Sequence, residues 1–279
     1  FHYRIAGMTE VSMDVVQLDS LAKALADWGE KRNDPLLSEH TLLQLREGRG
    51  RAWRGQGWVL TLVPDTSGQS GLVQSAGPGE PSDTARMELL DAARGWGFAR
   101  LEVLTRGEKD PGFDDMTDVG SVMRMSRSLT AVDPSVEGPT FRSHDVDDLV
   151  ELLNRAFDED HPENGSWDCE DLERRFGLDW FDPDGLLVAE IDGSMAGICW
   201  TKIHPDGVGE IYLLAVDPRH AGAGLGRALA GRGLGYLSAN APEGEAVVYT
   251  QGENVAARRL YESLGFHVER IDRRFSMEL

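Results

Sequence analysis

The chain is poor in cysteine and basic residues and has no long apolar run. Its 279 residues include two cysteines, Cys169 and Cys199. That excludes a disulfide framework and leads us to expect a reducing, cytoplasmic setting. No window approaches the ~18 consecutive apolar residues of a membrane-spanning helix. Residues 1–10 lack the charged start and apolar stretch of a secretory leader, so none is expected there. Lys and Arg number 28 against 48 Asp and Glu, a net charge of −20. Residues 1–139 contribute −6 and residues 140–279 contribute −14. A sequence-blind nucleic-acid binder would need a basic face, and so would a protein held on an anionic membrane. Any polyanionic ligand must therefore be held locally, by backbone N–H groups and a few arginines. His161, His204, His220 and His267 are scattered without metal-ligand spacing, and there is no Cys-x-x-Cys, so no metal is expected.

What is present suits two domains of about 140 residues each. Residues 123–129 read as a strand. The stretch that follows, rich in proline, glycine and acids, reads as a linker, giving domains at 1–132 and 140–279 joined by 133–139. In the C-terminal half, residues 145–157 carry apolar side chains at helical spacing. Residues 186–191 and 195–203 read as strands around the turn signal Asp192-Gly193. Residues 209–216 read as a strand, followed by a helix through about Leu237. Then come a strand at 246–250, a helix at 254–264 and a strand at 266–276. The N-terminal half repeats the order more faintly, with helices at 18–28, 39–47 and 83–96 and strands at 58–63 and 99–104. Two halves with one element order suggest an internal duplication.

The most informative stretch is Val216-Asp-Pro-Arg-His-Ala-Gly-Ala-Gly-Leu-Gly-Arg-Ala-Leu229. A strand ends, a turn follows, and Gly222, Gly224 and Gly226 precede a helix. Glycines let backbone approach a ligand closely. A helix start presents unpaired N–H groups and partial positive charge, so the pair suits a phosphate or pyrophosphate. No Gly-Lys-Ser/Thr follows, which excludes a Walker A loop, and a dinucleotide fingerprint fits poorly.

The glycine stretch, aligned as Ala221-Gly-Ala-Gly224-Leu-Gly226, resembles the pyrophosphate loop of the GNAT acetyltransferases. Its first position is Ala where the family has Gln or Arg. Asn254-Val-Ala-Ala-Arg-Arg-Leu-Tyr-Glu-Ser-Leu-Gly-Phe266 resembles the family's second hallmark. The segments around His161–Trp167, Trp180–Gly185, Trp200–Pro205 and Gly209–Tyr212 are similar to the mycothiol synthases, a tandem branch of that family. The resemblance implies an α/β (α+β) protein of two tandem GNAT-like domains, each a mixed, mostly antiparallel sheet flanked by helices. It implies acetyl-CoA as co-substrate and an amine as acceptor, namely the cysteinyl amine of cysteinyl-glucosaminyl-inositol, with no nucleic-acid or membrane partner and a monomeric state. The N-terminal half carries Ala76-Gly-Pro-Gly-Glu-Pro81 where the loop should be, and is expected to be catalytically silent.

The same resemblance implies the roles of individual residues. Glu210 is the expected base, since only a neutral amine attacks a thioester. Tyr261 is expected to protonate the leaving thiolate. Leu214, Ala215 and Val216 match the strand that pairs with pantetheine, with the Leu214 N–H facing the thioester oxygen. Ala221, Gly222, Ala223, Gly224, Leu225, Gly226 and Arg227 match the pyrophosphate loop, and Asn254 and Arg259 match further CoA contacts. Glu39, Glu163, Lys202 and Tyr249, with Glu210, match acceptor contacts. Two other readings stay open: a GNAT enzyme for another primary amine, and an acyl-CoA-binding regulator without catalysis. Residues 145–192 hold 17 acidic and three basic residues, either a solvated face or a funnel for a cationic amine.

Overall fold

The computed structural model describes residues 9–11, 37–65, 68–130, 132, 146–157 and 167–279. The expected helix at 18–28 and linker at 133–139 lie outside them, as does Glu163. The chain packs as two compact units, one of residues up to Ser121 with Asp272–Leu279, the other Val122–Ile271.

The first unit contains strands β1 (Thr9–Val11), β2 (Arg51–Gly55), β3 (Trp58–Pro64), β4 (Ser70–Ala76) and β5 (Arg100–Thr105). Its helices are α1 (Glu39–Arg46) and α2 (Asp83–Gly95). Strands β1 to β4 pair antiparallel in order, and β4 pairs parallel with β5 across α2. The sheet is completed by the end of strand β11 (His267–Glu278), where Arg273–Glu278 run antiparallel to β5. Trp53, Leu62, Leu89 and Leu101 form its main core between sheet and α2. Helix α2 starts under Ser82, whose Oγ accepts the Ala85 N–H, with Asp83 in its first turn.

The second unit holds the site. It begins with the latter part of strand β6 (Thr117–Ser128), then α3 (Val146–Ala156) and α4 (Cys169–Phe176). Strands β7 (Leu186–Ile191), β8 (Ser194–Ile203) and β9 (Gly209–Val216) form an antiparallel meander. Helix α5 (Leu225–Asn240) crosses from β9 to the parallel strand β10 (Glu245–Gln251), and α6 (Val255–Ser263) follows. Residues 122–128 of β6 pair antiparallel with the whole of β10. Asp192 and Gly193 have φ of 52° and 75°, the two positive values that a tight hairpin turn needs.

Two apolar layers sandwich this sheet. Helices α3 and α4 pack Leu149, Leu153 and Leu172 against Leu186, Ile198 and Trp200 on one face. Helices α5 and α6 pack Leu229, Leu234, Leu237 and Tyr261 against Cys199, Ile211, Ala246 and Val248 on the other. Helix α5 approaches so closely that a Cβ on Gly233 would lie 2.4 Å from Cys199 Sγ. Burial pushes the Cys199 thiol up to about 12, so it stays protonated as an apolar core group.

Candidate active site

Strand β9 is the organising element. Its register against β8 slips by one residue. Thr201 faces Ile211 and Trp200 faces Leu213, so Tyr212 is an extra residue, a β-bulge that bends the strand. On its other side β9 pairs with β10 only over Gly209–Ile211, and there the parallel ladder stops. Beyond Ile211 the two strands diverge and leave a cleft of about 620 Å³. Leu213, Leu214, Ala215 and Val216 line it from β9, Tyr249 and Thr250 from β10, and Leu260 and Tyr261 from α6.

The free edge of β9 follows from ladder alternation. The Asp217 N–H donates to Ala196 O at 2.9 Å on the β8 side. Successive backbone groups point to opposite sides, and the register is unbroken from Val216 back to Leu213. The Ala215 and Leu213 amides therefore also face β8, while those of Val216 and Leu214 face the cleft.

The cleft runs onto the start of α5. The helix has Gly224 at its N-cap, with φ 84°, no side-chain cap and no acidic residue in its first turn. Gly222 also has positive φ, 77°, with open space around it. Ala221, Gly222, Gly224, Leu225, Gly226 and Arg227 line this end of the cleft, while Ala223 is exposed beside them. Unsatisfied helix-start amides with no competing carboxylate fit a pyrophosphate by chemistry and charge. The first unit differs, since α2 begins capped by Ser82 and carries Asp83.

Asp217 sets this turn, and the sequence marks it only as a turn residue. Its carboxylate is fully buried and accepts from Arg219 N, Nε and Nη2 and from Arg155 Nε on α3. The Arg219 guanidinium first, and Arg155 after it, hold the carboxyl well below the usual carboxylate range, against the opposing effect of burial. A depressed folded value contributes stability above the unfolded value and loses it as pH falls. Asp217→Asn should lower stability by about 2–3 kcal/mol at neutral pH. Thermal melts from pH 7 down to pH 3 should show the wild type losing that margin below about pH 4. A variant as stable as wild type at pH 7 would contradict this assignment.

Glu210 points away from α5 and α6. Its neighbour Ile211 belongs to their core, and side chains alternate along a strand. Glu210 sits opposite Lys202 of β8 and Val247 of β10. The residue is 8% exposed, and its Oε2 is hydrogen-bonded to His204 Nε2 at 2.7 Å. Lys202 Nζ stands over the Trp180 ring at 4.7 Å and the Tyr212 ring at 5.4 Å. Burial, and then the charge of Glu210, raise the Tyr249 phenol above its ordinary value. Sheet geometry thus gathers Lys202, Glu210 and Tyr249, with His204 and Tyr212 added.

The other expected residues fall elsewhere. Tyr261 is 5% exposed, packs edge-on against Phe266 and borders the cleft. Asn254 caps α6, its Oδ1 accepting the Ala257 N–H, and also lines the cleft. Arg259 is exposed on α6 and is not among the lining residues. Glu39 opens α1 in the first unit. Several acids of 145–192 serve local structure: Asp168 caps α4, Asp182 accepts from Tyr236, and Asp171 pairs with Arg174. Among the described residues no group of three or more His, Cys, Asp or Glu is placed to hold a metal ion, and no helix is long and apolar enough to cross a membrane.

Comparison with known proteins agrees with this geometry. The family model described as Acetyltransferase (GNAT) family matches residues 146–266. The mycothiol acetyltransferase of Thermobispora bispora is 44% identical over 264 residues, spanning 82% of this chain and 85% of that one. A GCN5-related N-acetyltransferase from Sphaerobacter thermophilus superposes with a TM-score of 0.70 at 17% identity, covering 97% of this chain and 95% of that one. A tandem GNAT protein from the clavulanic acid biosynthesis pathway gives 0.66 at 17% identity, covering 97% and 98%. These two structures, the second of them a tandem GNAT protein, support the fold along almost the whole chain, and the close relative supports more. With the splayed strands, the uncapped glycine-rich helix start and a close relative along four-fifths of its length, the chain belongs to the mycothiol acetyltransferases of the GNAT family.

Proposed function

We propose that this N-acetyltransferase moves the acetyl group of acetyl-CoA onto the cysteinyl amine of cysteinyl-glucosaminyl-inositol, completing mycothiol. The observation that carries the reading is the cleft between β9 and β10. It leads from the uncapped start of α5 to a strand edge with free amides, and Glu210 lies on the opposite face of that strand. In this reading the amides from Ala221 to Arg227, aided by Asn254 and Arg259, hold the diphosphate end of CoA. The amides of Leu214 and Val216, flanking Ala215, pair with the pantetheine arm. Leu214 N–H donates to the thioester oxygen as negative charge develops there.

Glu210 takes a proton from the acceptor ammonium, directly or through water. The free amine forms its bond to the acetyl carbon and the C–S bond breaks. Tyr261 gives its phenolic proton to the departing thiolate, and the second proton that the nitrogen sheds as the amide forms returns to Tyr261 through solvent. Lys202 and Tyr249, with Glu163, contact the acceptor. The catalytic domain is residues 140–279, and residues 1–132 form a degenerate GNAT-like domain that shapes the protein without turning over. The two compact units exchange closing strands across that sequence division. We place the enzyme in the cytoplasm as a monomer acting on small molecules.

The reading is tested by thiol release from acetyl-CoA with cysteinyl-glucosaminyl-inositol against a panel of other primary amines. Preference for the former is expected. A better rate with another amine would keep the chemistry and remove the substrate. Binding of acetyl-CoA with no release for any amine would leave a regulator instead.

A further inference from the structure

The geometry points to His204 as the residue that positions the base. This inference rests on Glu210 acting as that base. His204 follows β8 at the turn into β9, six residues before Glu210 in sequence. Its own N–H donates to Val208 O at 2.9 Å, and its carbonyl accepts the Gly207 N–H at 2.8 Å, so its backbone is pinned by the connection. Both side chains are 10% exposed. An ionised carboxylate can only accept, so Nε2 carries the hydrogen in the 2.7 Å contact with Oε2. No other hydrogen bond to this carboxylate occurs among the described residues. One oxygen is therefore held and the other is left for the ammonium. Lys202, across the strand pair, is drawn towards the Trp180 and Tyr212 rings. The imidazole is thus the group that keeps the carboxylate from rotating. A general base acts only when aimed within hydrogen-bond reach of the proton it removes.

The test compares His204→Leu, which removes the donor, with His204→Gln, whose amide can supply it again. Displacing a reacting group by about 1 Å costs on the order of 100-fold. His204→Leu should therefore lower kcat by about tenfold to a hundredfold and leave KM for acetyl-CoA unchanged. His204→Gln should recover most of that loss. In a Glu210→Gln background, His204→Leu should cost nothing further, because there is no carboxylate left to aim. Melting curves check folding, and His204→Asn, too short to reach Oε2, replaces the leucine variant if that one does not fold. Wild-type kcat in His204→Leu would overturn the inference. So would a loss that persists undiminished in the Glu210→Gln background. If Glu210→Gln alone keeps full activity, the base assignment fails. If Glu210→Gln is slow but His204→Leu is not, only the role of His204 fails.

Discussion

Glu210→Gln should lower kcat by about 10²–10⁴ at neutral pH, the usual contribution of a positioned acid or base. The amide keeps the size of the side chain and its contact with His204, so the sheet should fold as before. It cannot take a proton, and the acceptor amine is mostly protonated near pH 7. Binding of acetyl-CoA should be unchanged, because Glu210 lies on the sheet face away from α5 and α6. The deficit should shrink as the assay pH rises, since free amine then forms in solution without help. Steady-state rates across pH, with CoA affinity measured by calorimetry, check all three points. Undiminished turnover at pH 7 would remove Glu210 from the mechanism.

Gly222→Asp should weaken acetyl-CoA binding by about 10- to 100-fold, the equivalent of about 1.4–2.8 kcal/mol. Gly222 has φ 77°, and a Cβ added there would meet nothing within 4 Å, so space does not oppose the change. Asp is among the few residues that visit this backbone region at modest cost. The new carboxylate would stand beside the uncapped helix-start amides, which in the proposed reading receive the diphosphate. Added salt should narrow the difference, because screening weakens repulsion between exposed charges. Gly222→Asn controls for the backbone and should bind close to wild type. Equal affinity in the Asp and wild-type proteins would mean that the diphosphate lies elsewhere.

Much of the second unit is legible in the sequence because its punctuation is strong. Asp192-Gly193 marks a hairpin, and the apolar pattern marks Gly209–Val216 with the bounds it has. The run of glycines after Asp217 locates the helix start and the cleft end it faces. Helix α4 is not legible, because it has only eight residues and its narrow stripe of Cys169, Leu172 and Phe176 is set among five charged ones. Strand β4 is hidden too, because Gln74 and Ser75 interrupt its apolar run. Gln74 is buried all the same, since its Oε1 accepts from Ser38 N and Thr41 Oγ1. The bulge at Tyr212 has no local signal, because one extra residue shows only against the partner strand. His204 escapes for the same reason. Its partner is set by the register of β8 on β9, which no single-strand pattern encodes.

The exchange of closing strands bears on how the protein is made. Among the described residues, strand β5 finds its antiparallel partner in Arg273–Glu278. A ribosome delivers that segment after the whole of the second unit, so the first sheet must wait with one border open during synthesis. The second unit has the opposite timing, because residues 122–128 emerge before β10 and are ready when it arrives. Released chains truncated before Arg273 should therefore show a folded second unit and a protease-sensitive first unit, although the first unit's residues are translated earlier.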